Sequence, residues 1–190
     1  MKTWIWSDTH LSHLNIIKYC NRPFKDIYEM NDTMLKNWKK IVKPVDTIIH
    51  LGDVSSGIDK DTLGGIIRSM PGKKLLIMGN HDFRHSIKWW EDVGFDRVYD
   101  YPIIYKKWFM LSHTPLFMNQ QLPYVNIHGH IHQNKMEGKG YINVSVEQID
   151  YMPICLEDII AQCNINPNMY TNDKSDVDDN DNGSMVGDDK

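Results

Sequence analysis

The stretch VNIHGHIH, residues 125–132, sets three histidines around one glycine directly after an apolar run. A strand that only filled a core would use Val, Ile and Phe there. In an extended chain residues two apart face the same side, so His130 and His132 project together from the strand end. Imidazole is the commonest nitrogen ligand for transition metals, and a pair of them beside a turn suggests part of a metal site. The remaining ligands must come from elsewhere in the chain.

They stand after the other apolar runs. TWIWS (3–7) leads into Asp8-Thr9-His10, DTIIHL (46–51) into Gly52-Asp53, and KLLIM (74–78) into Gly79-Asn80-His81-Asp82. WFMLS (108–112) leads into His113, and YVNIH (124–128) into Gly129-His130-Ile131-His132. Open α/β sheets gather their sites at the carboxyl ends of strands, so these groups should converge. Glycines 52, 79 and 129 permit sharp exits from the strands.

Asp8, His10, Asp53, Asn80, His113, His130 and His132 make seven nitrogen and oxygen donors. Seven exceed one tetrahedral site and suit two metals sharing a carboxylate. Such a pair clamps a phosphoryl group and lowers the pKa of a bridging water. The histidine-rich set favours transition metals, manganese first, with iron, zinc or nickel as alternatives, over Mg or Ca, which prefer oxygen shells. Singly, each motif would more often be a turn, a cap or surface polarity. Their joint occurrence in order at strand ends is hard to obtain by accident.

The elements that must position these groups read as α/β, with a sixth strand at YINVSV (141–146). The clearest helix is 27–42, where Ile27, Met30, Met34, Trp38 and Ile41 recur at three- and four-residue steps. Asp26 and Glu29 form a capping box, and Pro44 follows the end. Weaker helices are predicted over 60–70, 86–93 (Ser86 as cap, Gly94 as stop) and 155–163. Trp89, Trp90 and Trp108 read as core.

At 190 residues, 41% hydrophobic and 24% charged, the chain fits one soluble globular domain. The expected division is a catalytic domain over 1–165 and an acidic, disordered tail over 166–190. No 18-residue apolar run suggests a membrane span, and MKTWIWSDTH does not read as a signal peptide. Cys20, Cys155 and Cys163 are few and not in metal-binding spacing, pointing to a reducing cytoplasm. The net charge of −4 arises in the tail, where residues 172–190 hold seven aspartates against two lysines. The nearly neutral body disfavours duplex nucleic acid but not a small phosphate-bearing substrate. Asp178, Asn180, Asn182, Gly183 and Asp189 match an EF-hand loop in spacing, without a predicted helix on either side.

The ordered set SDTH, HLGD, MGNHD, LSHTP and GHIH resembles the calcineurin-like metallophosphoesterase superfamily, in its compact, cap-less bacterial and phage-like form. The resemblance spans about residues 1–160 and implies a four-layer αββα sandwich, with mixed β-sheets flanked by helices and a dinuclear centre. It implies Asp8, His10, Asp53 and His132 on one metal and Asp53, Asn80, His113 and His130 on the other, Asp53 bridging. His81 would then face the substrate phosphate, assisting charge stabilisation or leaving-group protonation, and Asp82 would orient its imidazole.

Where many relatives continue Gly-Asp into Asp-Arg-Gly, this chain has GDVSSG, so the phosphate-gripping arginine of that segment is missing and a phosphoprotein substrate is disfavoured. His13, Arg22, Arg84 and His85, on loops beyond the ligand motifs, are candidate substrate contacts. His50 and His128 read as supporting the ligands rather than ligating. The expected activity is hydrolysis of small phosphodiesters or phosphomonoesters, possible nucleotides among them, by a metal-bridging hydroxide. The alternatives are a nuclease or RNA-end phosphatase acting on short oligonucleotides, and a silent protein-binding scaffold of the same fold. Oligomeric state is left open.

Overall fold

The computed structural model describes residues 1–119, 121 and 123–162. The predicted tail, its EF-hand-like spacing and Cys163 lie outside the described residues. Among the described residues, nine strands form two mixed sheets. The first contains β1 (Thr3–Trp6), β2 (Thr47–His50), β3 (Lys73–Ile77), β4 (Arg97–Tyr99) and β9 (Ile154–Cys155), in the order β4-β3-β2-β1-β9. β1 to β4 run parallel, and β9 closes the edge antiparallel to β1. The second contains β5 (Ile103–Tyr105), β6 (Phe109–Leu111), β7 (Val125–His128) and β8 (Tyr141–Asn143), in chain order. There β5 pairs antiparallel to β6, while β6, β7 and β8 are parallel.

Alternation along the strands builds both cores, because successive side chains point to opposite faces. Ile5, Ile49 and Ile77 of the first sheet meet Phe109, Leu111, Val125 and Ile127 of the second in one buried cluster. Their neighbours Trp6, Ile48 and Leu76 point the other way, onto helices. That cover is α1 (Leu14–Tyr19), α2 (Ile27–Ile41), α3 (Lys60–Ser69) and α4 (Ile87–Val93), which bury Ile16, Met30, Met34, Trp38, Leu63, Ile67, Trp90 and Val93. α5 (Leu156–Gln162) follows β9 and sends Leu156 and Ile159 into the inter-sheet core. The result is the expected α/β sandwich of two mixed sheets flanked by helices.

The helix signals act much as the sequence suggests. The Asp26 carboxylate accepts from Glu29 N–H at 2.8 Å, capping α2. Glu29 reaches back to Lys25 N–H instead of Asp26 N–H, so the reciprocal half of the box is shifted by one residue. Ser86 caps α4, and Gly94 ends it at φ 130°. Residues 155–163 correct the sequence reading: Ile154 and Cys155 pair with β1 before the helix starts. Of the three tryptophans expected in the core, only Trp90 is fully buried, while Trp89 and Trp108 are half-buried. No helix among the described residues is long and apolar enough to cross a membrane.

Candidate metal centre

The strand ends do converge. Asp8, His10 and His132 present ligand atoms within 4.8 Å of one another, and so do Asp53, His113 and His130. Asn80 joins the second group, its Oδ1 lying 2.9 Å from His113 Nε2. Asp53 Oδ2 faces both groups, 3.4 Å from His10 Nε2 and 3.5 Å from His113 Nε2. Each group draws residues from both sheets: Asp8, His10, Asp53 and Asn80 follow strands of the first, His113, His130 and His132 strands of the second.

Several donors have nothing else to bind. Asp8 Oδ1 and His10 Nε2 are buried without a hydrogen-bond partner, a costly arrangement unless a cation completes it. Around His113 Nε2, Asn80 Oδ1, His130 Nδ1 at 3.1 Å and Asp53 Oδ2 crowd as electron-rich neighbours. Burial pulls the His113 pKa down, but the Asp53 hydrogen bond and the charges of Asp8 and Asp53 outweigh it and raise it to about 9. Burial alone would raise Asp53, yet His113 and His10 hold it below the usual carboxylate range. The donor set of carboxylate, amide and imidazole therefore fits divalent metal ions.

The backbone is bent to deliver these atoms. Asp8, His10, Asp53, His130 and His132 all take positive φ, between 46° and 69°. Such left-handed residues cost about 1–2 kcal/mol each and persist only where surrounding structure enforces them. The enforcement is visible. His130 N–H donates to Asp8 Oδ2 at 2.9 Å, and His81 N–H to Asp53 Oδ1 at 2.9 Å. A Cβ on Gly79 would collide with Asp53 Oδ1, and one on Gly129 with Ser7 Oγ and Asp8 Oδ2.

Ring tautomers are set by partners behind the ligands. His113 Nδ1 donates to Leu51 O at 2.8 Å, leaving Nε2 for the centre. His50 Nδ1 accepts from Gly52 N–H at 3.1 Å, and its Nε2 lies 2.9 Å from Thr9 Oγ1. Burial pushes His50 down to about 3, so it stays neutral and ties the Asp8–His10 turn to the turn before Asp53. His128 Nδ1 bonds Gly129 O at 2.9 Å in a fully buried position behind His130.

Two expected roles are corrected by the geometry. Arg22 is not free to grip phosphate: it is buried, donating to Asp8 O at 2.7 Å and Thr9 O at 3.0 Å and pairing with Glu147 Oε1 at 2.7 Å. Asp82 does not orient the His81 ring. Its carboxylate accepts from the N–H groups of Asp53 (2.7 Å), Gly79 (2.9 Å) and Val54 (3.1 Å), fixing the turn that carries Asp53. Burial pushes Asp82 up to about 7, against these three donors, which favour the ionised form.

His81, half-buried, stands with Nε2 3.9 Å from Asp53 Oδ2 and its ring 5.1 Å from that of His10. This puts it within ligand distance of His10 and Asp53 as well as at the mouth. His13 lies beside it, ring centres 6.1 Å apart. Arg84 and His85 are exposed on the short helical turn beyond. Glu147 was not anticipated. Its Oε1 lies 3.1 Å from His132 Nδ1, and the His132 hydrogen bond and Arg22 charge overcome burial to bring its pKa down to about 2. It follows a strand end, as the ligands do, and that position was the available signal.

Two mixed sheets thus gather carboxylates and imidazoles at their strand ends, a donor set suited to metal ions. The calcineurin-like phosphoesterase family model matches residues 1–180, and the chain belongs to that family. It is 38% identical over 170 residues to the uncharacterized protein MJ1445 of Methanocaldococcus jannaschii, covering 84% of this chain and 89% of that one. The Gene 66 protein of Mycobacterium phage L5 is 40% identical over 87 residues, 45% of this chain and 42% of the phage protein. Among solved structures, AQ665 from Aquifex aeolicus, a protein of unknown function, superposes with a TM-score of 0.67 at 31% identity. That match covers 85% of this chain and 98% of the other.

Proposed function

We propose that the protein hydrolyses small phosphoesters, diesters in preference to monoesters, at a dinuclear centre in which Asp53 is shared. The observation that carries this reading is Asp53 Oδ2, which faces His10 and His113 at 3.4 and 3.5 Å while Asp8, His132, His130 and Asn80 stand on either side. Two divalent ions, manganese foremost, would supply Lewis acidity towards the phosphoryl oxygens and a nucleophile at neutral pH. The chain contributes the rest. His113 and His132 keep Nε2 turned to the centre through their bonds to Leu51 O and Glu147. His81, partly open to solvent beside Asp53, would donate a proton to the departing ester oxygen.

The setting we propose is the cytoplasm, in keeping with the unpaired thiols of Cys20 and Cys155. The deciding experiment is turnover of p-nitrophenyl phosphate and bis(p-nitrophenyl) phosphate by protein stripped of metal and reloaded with Mn²⁺. We expect activity on both, higher on the diester, that disappears with a chelator. Equal activity before and after thorough metal removal would overturn the mechanism.

A further inference from the structure

A cleft of about 60 Å³ opens beside His81. One wall is Ser55, Ser56 and Gly57, the other His81, Arg84 and His85. The small residues leave the space open: a Cβ on Gly57 would meet only Ser12 O, at 4.0 Å. That is room for several water-sized groups, enough to seat the oxygens of one anion in the cleft.

The chemistry of the walls agrees. Arg84 is exposed and has no carboxylate partner among the described residues, and its charge reaches His13 at the rim of the centre. The Ser55 and Ser56 hydroxyls also have no hydrogen-bond partner among the described residues. The nearby acidic groups are engaged elsewhere: Asp59 caps α3 through Thr62 N–H, and Asp92 pairs with Lys60 and Lys88. His85 stacks on Trp89 at 3.8 Å with planes 7° apart, and both rings line the cleft.

We propose that this cleft is a second anion site, selecting phosphoesters that carry another phosphate group a short spacer away from the reacting one. The inference rests on the phosphoesterase reading of the adjoining centre. His81 belongs both to the cleft wall and to the group around Asp53, so a bisphosphorylated ligand spans the two without leaving the surface. Arg84 supplies a forked guanidinium to the second phosphate, the geometry that favours arginine over lysine for such groups.

The test is calorimetric titration of Mn²⁺-loaded protein with 1,3-propanebisphosphonate and with propylphosphonate, which differ only in the second phosphonate. In the unaltered protein the bisphosphonate should bind about ten- to hundredfold more tightly, the range expected for a charged hydrogen-bonded pair. Arg84→Ala should bring the ratio of the two affinities close to one, and Arg84→Lys should restore part of it. No advantage in the unaltered protein, or the same advantage in Arg84→Ala, overturns the proposal. Turnover of p-nitrophenyl phosphate by the same preparation separates the two readings. An intact Arg84-dependent binding advantage without turnover refutes the esterase and leaves the anion site standing.

Discussion

One carboxylate oxygen joins two residues with different duties: Glu147 Oε1 lies 2.7 Å from Arg22 Nη2 and 3.1 Å from His132 Nδ1. Arg22 in turn holds the carbonyls of Asp8 and Thr9, so the Asp8–His10 turn and His132 share a single anchor. Partners of this kind behind a metal ligand are typically worth ten- to hundredfold in metal affinity. Glu147→Gln should therefore weaken Mn²⁺ binding by about that factor at one of two sites, read by titration of the metal-free protein. Unchanged affinity at both sites would remove Glu147 from the centre's support. Arg22→Ala should also cost about 3–5 kcal/mol of stability in denaturant unfolding, because it strands a buried carboxylate.

On the proposed sharing of Asp53 between two metal sites, its loss should be the most damaging of the ligand substitutions. Asp53→Asn should bind less than two metal ions per chain and lose most phosphoesterase activity. The same substitution should shrink the rise in melting temperature that Mn²⁺ gives, since ligands that bind only the folded state stabilise it by mass action. A full Mn²⁺-dependent rise in Asp53→Asn would contradict the bridging placement.

His81 can be assigned by varying the leaving group. If it protonates the ester oxygen, His81→Asn should retain metal and lose roughly 10²–10⁴-fold in turnover on alkyl phosphoesters. The loss should be smaller on p-nitrophenyl esters, whose leaving group departs without a proton. Equal losses on both would point to stabilisation of transition-state charge. A loss of metal from the variant would instead make His81 a ligand beside His10 and Asp53.

Acid stability should depend on Asp46, buried just before β2, at the opposite end of that strand from Asp53. Lys2 N–H lowers its pKa most, burial opposes, and Lys43 N–H and Trp4 Nε1–H add to bring it to about 2. A depressed carboxylate stabilises the fold above its unfolded pKa of about 3.9 and loses that contribution as pH falls through the folded value. Asp46→Asn should thus be less stable at pH 7 and show a shallower decline between about pH 4 and pH 2. Parallel curves for both proteins in denaturant titrations would show that Asp46 does not carry the acid limb.

The sequence displays the site more clearly than the scaffold. Each ligand motif ends an apolar run, and strand ends are where such groups converge, so the seven donors could be collected without knowing the sheet order. The missing pieces have physical reasons. β4, β5 and β9 have three, three and two residues, too short to show a period, and exist because a neighbouring strand pairs with them. α1 fully buries only Ile16, so no apolar stripe marks it. Arg22 was expected at the substrate because a charged loop residue near a motif looks available, and Asp82 at His81 because the family resemblance implied it. Only the folded chain reveals that backbone groups have already claimed them.

The two ligand groups each take residues from both sheets, so a bound ion would add a cross-link between layers already joined by apolar contact and by a few hydrogen bonds such as His130 N–H to Asp8 and His113 to Leu51 O. Chelation should then act as a release of the sandwich and not merely as a loss of chemistry. Amide hydrogens at the centre-facing ends of β1, β2, β6 and β7 should exchange with solvent faster in the stripped protein, while those under α2 and α3 keep their protection. Metal supply would in this way set the lifetime of the fold against proteolysis, through the population of partly opened molecules.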